Sequence, residues 1–378
     1  MSSPLTIAHV DSEKGWSGGQ VQVFLLMEGL RARGHRNVLF CPPGSRQEAR
    51  ARDLQLDVRP VAMRNDLHLA ASTRMKYGFR ECEVDLVHLH TGRANWLGGL
   101  AARWAGLPAL TTRRMDRSVG RHPMNRLVYR KFVQRAVGIA PAVSDRLREG
   151  GVDPAIVSTI WSAVDRSALQ PSASREVLRE SLGLSNDCKV LLAAAHLTQR
   201  KGIDLALRAL SHCLAEQQSD APEVVLWIAG DGPERPALEK LAVELKLGSH
   251  VRFLGRREDM SDLLAVADLL MMPSRAEGLG IAALEAMAVG LPVLGCRVGG
   301  LGEAVVDERT GVLVPPDDVD ALAKGLMRLL EDEHLRHALG REGPVRIDEG
   351  FTATQMVAAY ESLYAEIVAA GALPGAVR

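Results

Sequence analysis

Apolar residues along this chain fall into two alternating patterns. Short runs rich in valine, isoleucine and leucine are followed by longer stretches in which apolar positions return every three or four residues, the periodicity of strands alternating with amphipathic helices. In the first half the predicted strands are Leu5–Val10, Asn37–Cys41, Val58–Ala62, Asp85–His90, Pro108–Thr112, Val137–Val143 and Val157–Trp161, with helices predicted at Gln20–Arg33, Ala94–Ala105 and Met124–Arg135. The polar, proline-containing stretch Ser167–Ser174 reads as a linker. The rhythm then restarts with strands predicted at Lys189–Ala195, Val224–Ala229, Val251–Leu254, Leu269–Met272, Pro292–Gly295 and Gly311–Val314. Such alternation predicts an α/β chain of two doubly wound domains, residues 1–170 and 171–351, each a parallel sheet with helices on both faces. Ligands of such sheets lie beyond the carboxyl ends of the strands. The loops after His9, His90, Thr112, Ala195, Ala229 and Met272 are therefore where chemistry is expected.

A length of 378 residues suits two domains, each with its own core. Forty-six basic and 46 acidic side chains cancel, which argues against a nucleic-acid-binding chain. The cancellation hides a split: residues 1–170 hold 25 Lys and Arg against 15 Asp and Glu, and residues 171–378 hold 21 against 31. The first half thus suits an anionic partner. Five cysteines (Cys41, Cys82, Cys188, Cys213, Cys296) without a CxxC spacing suggest neither a disulfide framework nor a zinc site, and fit a reducing cytosol. The first residues carry no secretory pattern, and the weakly charged run from Gly278 to Cys296 is interrupted by Glu285. A cytoplasmic protein is expected, at most peripheral at the inner face of a membrane.

Four loops carry candidate chemistry. Gly15-Trp16-Ser17-Gly18-Gly19-Gln20 follows the first strand and opens a helix, where backbone amides of Gly18 and Gly19 can hold a phosphate; it also serves as a plain turn, and it is not GxGxxG. His196-Leu197-Thr198-Gln199-Arg200-Lys201-Gly202 places cations before a helix, able to neutralise a diphosphate or simply to be solvated. Gly230-Asp231-Gly232-Pro233 permits close approach of a base or phosphate, or is an ordinary connection. The richest segment runs from Pro273 to Glu285: Glu277 on a loop, Gly278 and Gly280 after it, then a helix carrying Glu285. Carboxylates so placed accept hydrogen bonds from sugar hydroxyls while helix-start amides face phosphate.

The ordered series of these segments resembles the retaining glycosyltransferases of family 4, which have the GT-B fold of two Rossmann-like domains facing across a cleft. The resemblance runs over nearly the whole chain: the early glycine loop, Asp85-Leu86-Val87-His88-Leu89-His90, LTQRKGIDLALRAL, IAGDGPERPALEKLA, VRFLGRRED, Glu277 and Glu285 spaced as E-x7-E, GLPVLGCRVGGLGEAV and TGVLVPPDD. It implies that Glu285 binds the donor ribose, Lys201 the diphosphate, the Gly278, Leu279, Gly280 and Ile281 amides the donor sugar and phosphate, and Leu254 the base. Glu277 would contact the transferred sugar. It also implies that the final helix, Thr352–Ala370, crosses back to the first domain. Two departures stand out. His196 occupies the place of a customary arginine, which leaves Arg200 to assist Lys201. The segment after Pro108–Thr112 reads Thr111-Thr112-Arg113-Arg114-Met115-Asp116, so no catalytic histidine is carried there.

His88 and His90 alternate on one strand and share a face, with His90 at its end as a cleft residue for donor or acceptor, or as a hydrogen-bonded structural histidine. No third ligand stands near them in sequence, so no metal is expected, and Asp318-Val319-Asp320 reads as a helix cap. Between Arg113 and Arg135 eight basic residues face one acid, Asp116. Arg113, Arg114, Arg121, Arg126 and Arg130 are accordingly expected on the acceptor side, toward an anionic glycan, a glycolipid such as lipopolysaccharide core, or a membrane face, unless they only solvate a helix. The expected activity is metal-free transfer of a hexosyl or related sugar from a nucleoside-diphosphate-sugar co-substrate, with no other cofactor. A nucleotide-sugar 2-epimerase and a non-catalytic bilobal sugar-binding protein are the alternatives.

Overall fold

The computed structural model describes residues 3–117, 119, 123–185, 187–217 and 221–371. The chain divides into two compact units, Met1–Ser162 together with Ala353–Arg378, and Ala163–Thr352. The division falls before the predicted linker. Residues 163–174 group with the second unit, where Ser172 donates to Asp262 through its N–H and its hydroxyl at 2.6 and 2.7 Å.

The first unit holds β1 (Thr6–Val10), β2 (Arg36–Cys41), β3 (Asp57–Pro60), β4 (Leu86–Leu89), β5 (Ala109–Arg113), β6 (Arg135–Gly138) and β7 (Val157–Thr159), in spatial order β3-β2-β1-β4-β5-β6-β7. The second holds β8 (Lys189–Ala194), β9 (Val224–Ala229), β10 (Val251–Gly255), β11 (Leu269–Met272), β12 (Val293–Cys296) and β13 (Gly311–Val314), in order β10-β9-β8-β11-β12-β13. Every pairing in the ladders is parallel. The central strands are continuous apolar runs because helices cover both faces: β4 and β11 are buried along their whole length.

Several boundaries differ from the sequence reading. The predicted strand Val137–Val143 is a strand to Gly138 followed by the helix Pro141–Glu149, since Pro141 favours a helix's first turn and Ala140 is already extended as its cap. The predicted helix Met124–Arg135 is one turn, Pro123–Leu127, running into a π turn, Val128–Phe132; Arg135 already belongs to β6. Strand Val58–Ala62 lies at Asp57–Pro60, and His90 stands one residue past β4. The final helix, Ala353–Ala370, belongs to the first unit, burying Tyr360 and Tyr364 and pairing Glu361 with Arg33 at 2.6 Å. Among the described residues no helix is long and apolar enough to cross a membrane.

Candidate functional site

In the six-stranded sheet the chain order reverses between β8 and β11, and a parallel sheet leaves a crevice beyond its strand ends at such a point. Two loops from this point meet. Lys201 donates to Glu277 Oε2 at 2.5 Å, Ser274 Oγ donates to the same oxygen at 3.3 Å, and Arg200 stands 3.9 Å from Glu277 Oε1. Arg275 clamps the loops together: its N–H donates to the Arg200 carbonyl at 2.8 Å, and its guanidinium grips Asp204 at 2.7 and 2.8 Å and the Gln199 carbonyl at 2.9 Å. Gly202 makes the approach possible. It sits at φ +64°, and a Cβ there would lie 1.9 Å from the Pro273 carbonyl oxygen.

Residues Glu277 to Gly280 are buried, and helix Ile281–Ala288 starts from Gly280 with no side-chain cap, so its first amides are left for a ligand. Glu285 lies within that helix. Among the described residues its carboxylate has no hydrogen-bond partner, and burial pushes its pKa up to about 7. A half-buried carboxylate without donors suits the hydroxyl groups of a ligand, because accepting them would restore the lost solvation.

The other predicted donor residues surround the same end of the sheet. His196 Nδ1–H donates to the Asp231 carbonyl at 2.6 Å, binding the loop after β8 to the loop after β9. Gly230 and Gly232 answer a packing need: a Cβ would lie 1.8 Å from the Ala195 oxygen at the first and 2.3 Å from the Leu197 oxygen at the second. Leu254 sits on β10 just before Gly255, whose carbonyl accepts the Gly230 N–H at 2.7 Å. Asp318 is a helix cap, accepting the Ala321 N–H at 2.8 Å.

The seven-stranded sheet reverses between β1 and β4, which brings His9 beside His88 and His90. Here the sequence reading is corrected: a third imidazole does stand by, because neighbouring strands supply it from about eighty residues away. The three ring systems are buried and their ligand atoms lie within 4.8 Å of one another. Each ring is already engaged. His9 contacts Asn37 at 2.9 Å and His90 at 3.0 Å, while His88 contacts Thr112 at 2.7 Å and Tyr364 at 2.6 Å. Desolvation lowers all three pKa values, that of His9 to about 4, so neutral imidazoles stand here at neutral pH. His90 is 6% exposed, which places it behind the surface and in contact with Arg114 at 3.2 Å. At the glycine loop, helix Gly18–Ala32 is capped by Ser17, whose Oγ accepts the Gly19 N–H at 3.3 Å, so the Gly19 amide is occupied.

The described arginines of the basic segment have different surroundings. Arg113 turns to the Arg117 carbonyl, Arg114 packs against Gly19 and His90, Arg126 and Arg130 are exposed, and Arg121 lies outside the described residues. The first unit instead carries a groove of about 1200 Å³ whose lining includes Lys14, Arg64, Asp66, Arg93 and Trp96, with only Met124, Asn125 and Val128 from the basic segment. Sequence reading missed it, because its walls come from five separated segments, three loops and two helical stretches. Arg64 and Arg93 carried a signal only in hindsight of strand order, each following a strand of the first sheet.

Comparison with known proteins supplies two family models. "Glycosyltransferase Family 4" matches residues 16–168 and "Glycosyl transferases group 1" matches residues 174–346. The chain is 33% identical to the D-inositol 3-phosphate glycosyltransferase of Corynebacterium urealyticum over 74% of this chain and 72% of that protein. It is 30% identical to the GDP-mannose-dependent monoacylated alpha-(1-6)-phosphatidylinositol monomannoside mannosyltransferase of Corynebacterium glutamicum over 82% and 85%. It is likewise 30% identical to the N-acetyl-alpha-D-glucosaminyl L-malate synthase of Bacillus anthracis, of which it spans about half, 54%. In fold it is similar to Anabaena Alr3699/HepE, solved with UDP and glucose (TM-score 0.84, 20% identity, 96% of this chain and 100% of that one), and to the sucrose-phosphate synthase of Thermosynechococcus elongatus (0.82, 22%, 97% and 100%).

Proposed function

The chain belongs to glycosyltransferase family 4, with the two parallel-sheet domains of GT-B enzymes, and from that premise we propose that it transfers a hexosyl or related sugar from a nucleoside-diphosphate donor to an acceptor hydroxyl with retention at the anomeric carbon. The observation that carries the proposal is the constellation at the β8–β11 switch point: a lysine on a buried glutamate, uncapped helix-start amides, and a carboxylate at Glu285 that has no hydrogen-bond partner among the described residues. On this reading Glu285 receives the ribose hydroxyls, Glu277 receives hydroxyls of the transferred sugar, and Lys201, Arg200 and the amides of Gly278 to Ile281 take up the charge of the departing diphosphate. The charge is met by side chains and main chain, so no divalent ion is required. The departing phosphate itself takes the acceptor proton.

The acceptor belongs to the groove of the first unit. Lys14, Arg64 and Arg93 suit a phosphate-bearing polyol, either free or as the head of an envelope glycolipid met peripherally at an anionic cytoplasmic membrane face. The named acceptors of the two Corynebacterium relatives, an inositol phosphate and a phosphatidylinositol mannoside, share that chemistry and support it. A panel of nucleotide sugars incubated with inositol phosphate, a phosphoinositol glycolipid and lipopolysaccharide core, with products resolved by mass spectrometry and the new linkage by NMR, tests the reading. A glycosylated product with the donor's anomeric configuration is expected. An epimerised donor formed without acceptor would establish the 2-epimerase alternative instead.

A further inference from the structure

Three arginine or lysine side chains stand on the two loops that meet at the β8–β11 switch point, Arg200, Lys201 and Arg275, and two of them already hold carboxylates in direct contact. Asp204 takes Arg275 at 2.7 and 2.8 Å, and Asp317 takes it at 2.5 Å. Glu277 takes Lys201 in a sheltered contact, the lysine side chain 15% exposed and the glutamate side chain 10%. Arg200 is the most exposed of the three and donates to the Ala276 carbonyl at 3.1 Å. The lysine to which the proposed reading gives the diphosphate is thus neutralised by its own neighbour.

That pairing bears unequally on two ligands. A bare diphosphate that draws Lys201 to itself leaves Glu277 as a buried carboxylate with the Ser274 hydroxyl at 3.3 Å and Arg200 at 3.9 Å, and a buried charge deprived of its counter-ion is costly. An ammonium that kept Glu277 and reached for the phosphate with another N–H would gain little, since the carboxylate already offsets its charge. A sugar joined to the diphosphate reverses the balance. Its hydroxyls donate to Glu277 and take over the compensation that the lysine gives up. Once the sugar has left, that compensation leaves with it.

We propose that the Lys201–Glu277 pair makes the second unit select an intact nucleotide sugar over the nucleoside diphosphate that remains after transfer: sugar hydroxyls on Glu277 release Lys201 to the diphosphate, and their departure returns Lys201 to Glu277 and loosens the product. The proposal rests on the glycosyltransferase reading. No covalent bond is made or broken in the selection itself. One ammonium–carboxylate contact is exchanged for an ammonium–phosphate contact and for hydrogen bonds from hydroxyls to the carboxylate. Both residues belong to the unit Ala163–Thr352, so the selection is a property of that unit alone. Glu277 is then a specificity-determining residue that works through Lys201 as well as through the sugar.

Calorimetry on the full chain compares UDP with UDP-glucose, GDP with GDP-mannose, and inorganic pyrophosphate, for the wild type, Glu277→Gln, Glu277→Ala, Lys201→Met and the double variant Glu277→Gln with Lys201→Met. For a nucleotide pair that binds, the wild type is expected to hold the sugar nucleotide more tightly than the diphosphate. Glu277→Gln should tighten the diphosphate and pyrophosphate by about tenfold or more while weakening the sugar nucleotide, because one charged contact acts in opposite directions on the two ligands. A loop merely disturbed by the substitution would weaken both. Glu277→Ala decides the matter if the glutamine variant fails to fold. With Lys201→Met in place only direct repulsion is left to relieve, and the gain from Glu277→Gln should fall several-fold. An equal gain in both backgrounds would reduce Glu277 to plain repulsion and overturn the exchange. Diphosphate and pyrophosphate affinities no higher than wild type in the folded Glu277 variants would overturn it as well, and turnover of a nucleotide sugar by the wild type would leave the transferase reading standing. A wild type that binds none of these nucleotides and turns over no sugar nucleotide sinks the transferase reading, and the proposal with it.

Discussion

At the residue scale, Glu285 carries the most direct prediction. Its carboxyl titrates near 7 because burial disfavours the charged form and no donor compensates. Ribose hydroxyls would favour the ionised form and lower that value, so donor binding should release a proton and tighten as pH rises from about 6 to 8. Calorimetry in buffers of different ionisation enthalpy reads that proton directly. Glu285→Gln should abolish the pH dependence and weaken donor binding by roughly 10–150-fold, the loss of a charge-assisted hydrogen bond. The same raised pKa has a stability consequence. Between the ordinary carboxylate value and about 7 the folded protein holds a proton that the unfolded chain has lost, so the native state loses stability as pH rises through that window. Glu285→Gln should accordingly gain in melting temperature over the wild type at pH 8 and not at pH 4, a comparison that needs no substrate.

At the element scale, the approach of two loops depends on one backbone position. Gly202 ends the Gln199–Lys201 turn in the left-handed region and begins helix Ile203–Glu216, with the Pro273 carbonyl against its Cα. Gly202→Ala combines an unfavourable φ with a backbone clash that no rotamer relieves, and should cost about 2 kcal/mol or more. Urea unfolding of the full chain checks the magnitude. Because the strain separates the Lys201 loop from the Glu277 loop, donor KM should rise as well. Gly183→Ala, at φ +66° but with open space around its Cβ, serves as the control: it carries the backbone penalty without the clash and should leave donor KM unchanged.

At the scale of the whole molecule, the charge split between the halves predicts where ionic strength matters. If the groove of the first unit reads a phosphate, Arg64→Gln and Arg93→Gln should raise KM for a phosphorylated acceptor, leave KM for its dephosphorylated analogue nearly unchanged, and leave donor affinity alone. The difference between the two acceptors should shrink with added salt, since screening acts over about 8 Å at physiological ionic strength. Equal kinetics for the two acceptors at low salt would remove the anionic acceptor from the account. Transfer should also survive EDTA: on the proposed reading Lys201 and the helix-start amides would meet the diphosphate, and Asp318 is committed to capping a helix. Loss of turnover restored by added manganese or magnesium would contradict that chemistry.

What the sequence determined by itself was everything carried by local pattern. Periodicity located the strands of both sheets to within a few residues, because a buried parallel strand must be an apolar run and an amphipathic helix must repeat its apolar positions. It erred where one apolar run served two elements, as from Val137 to Val143, and where backbone geometry departed from the α-helix, as in the π turn at Val128–Phe132. Lys201 and Glu277 were legible as residues because each lies on a loop between a strand end and a helix start, where α/β sheets bind ligands, and Glu285 because it follows Glu277 eight residues on within the helix that this loop opens. Tertiary structure decided which of them meet. Lys201 touches Glu277 across 76 residues only because β8 and β11 are neighbours at the point where strand order reverses. The same rule in the other sheet set His9 against His90 and stationed His90 behind Arg114, and it assembled the groove around Arg64 and Arg93 from segments with no shared motif. Strand order is settled by how the helices cover the sheets, a property of the packed chain that no local run of residues contains.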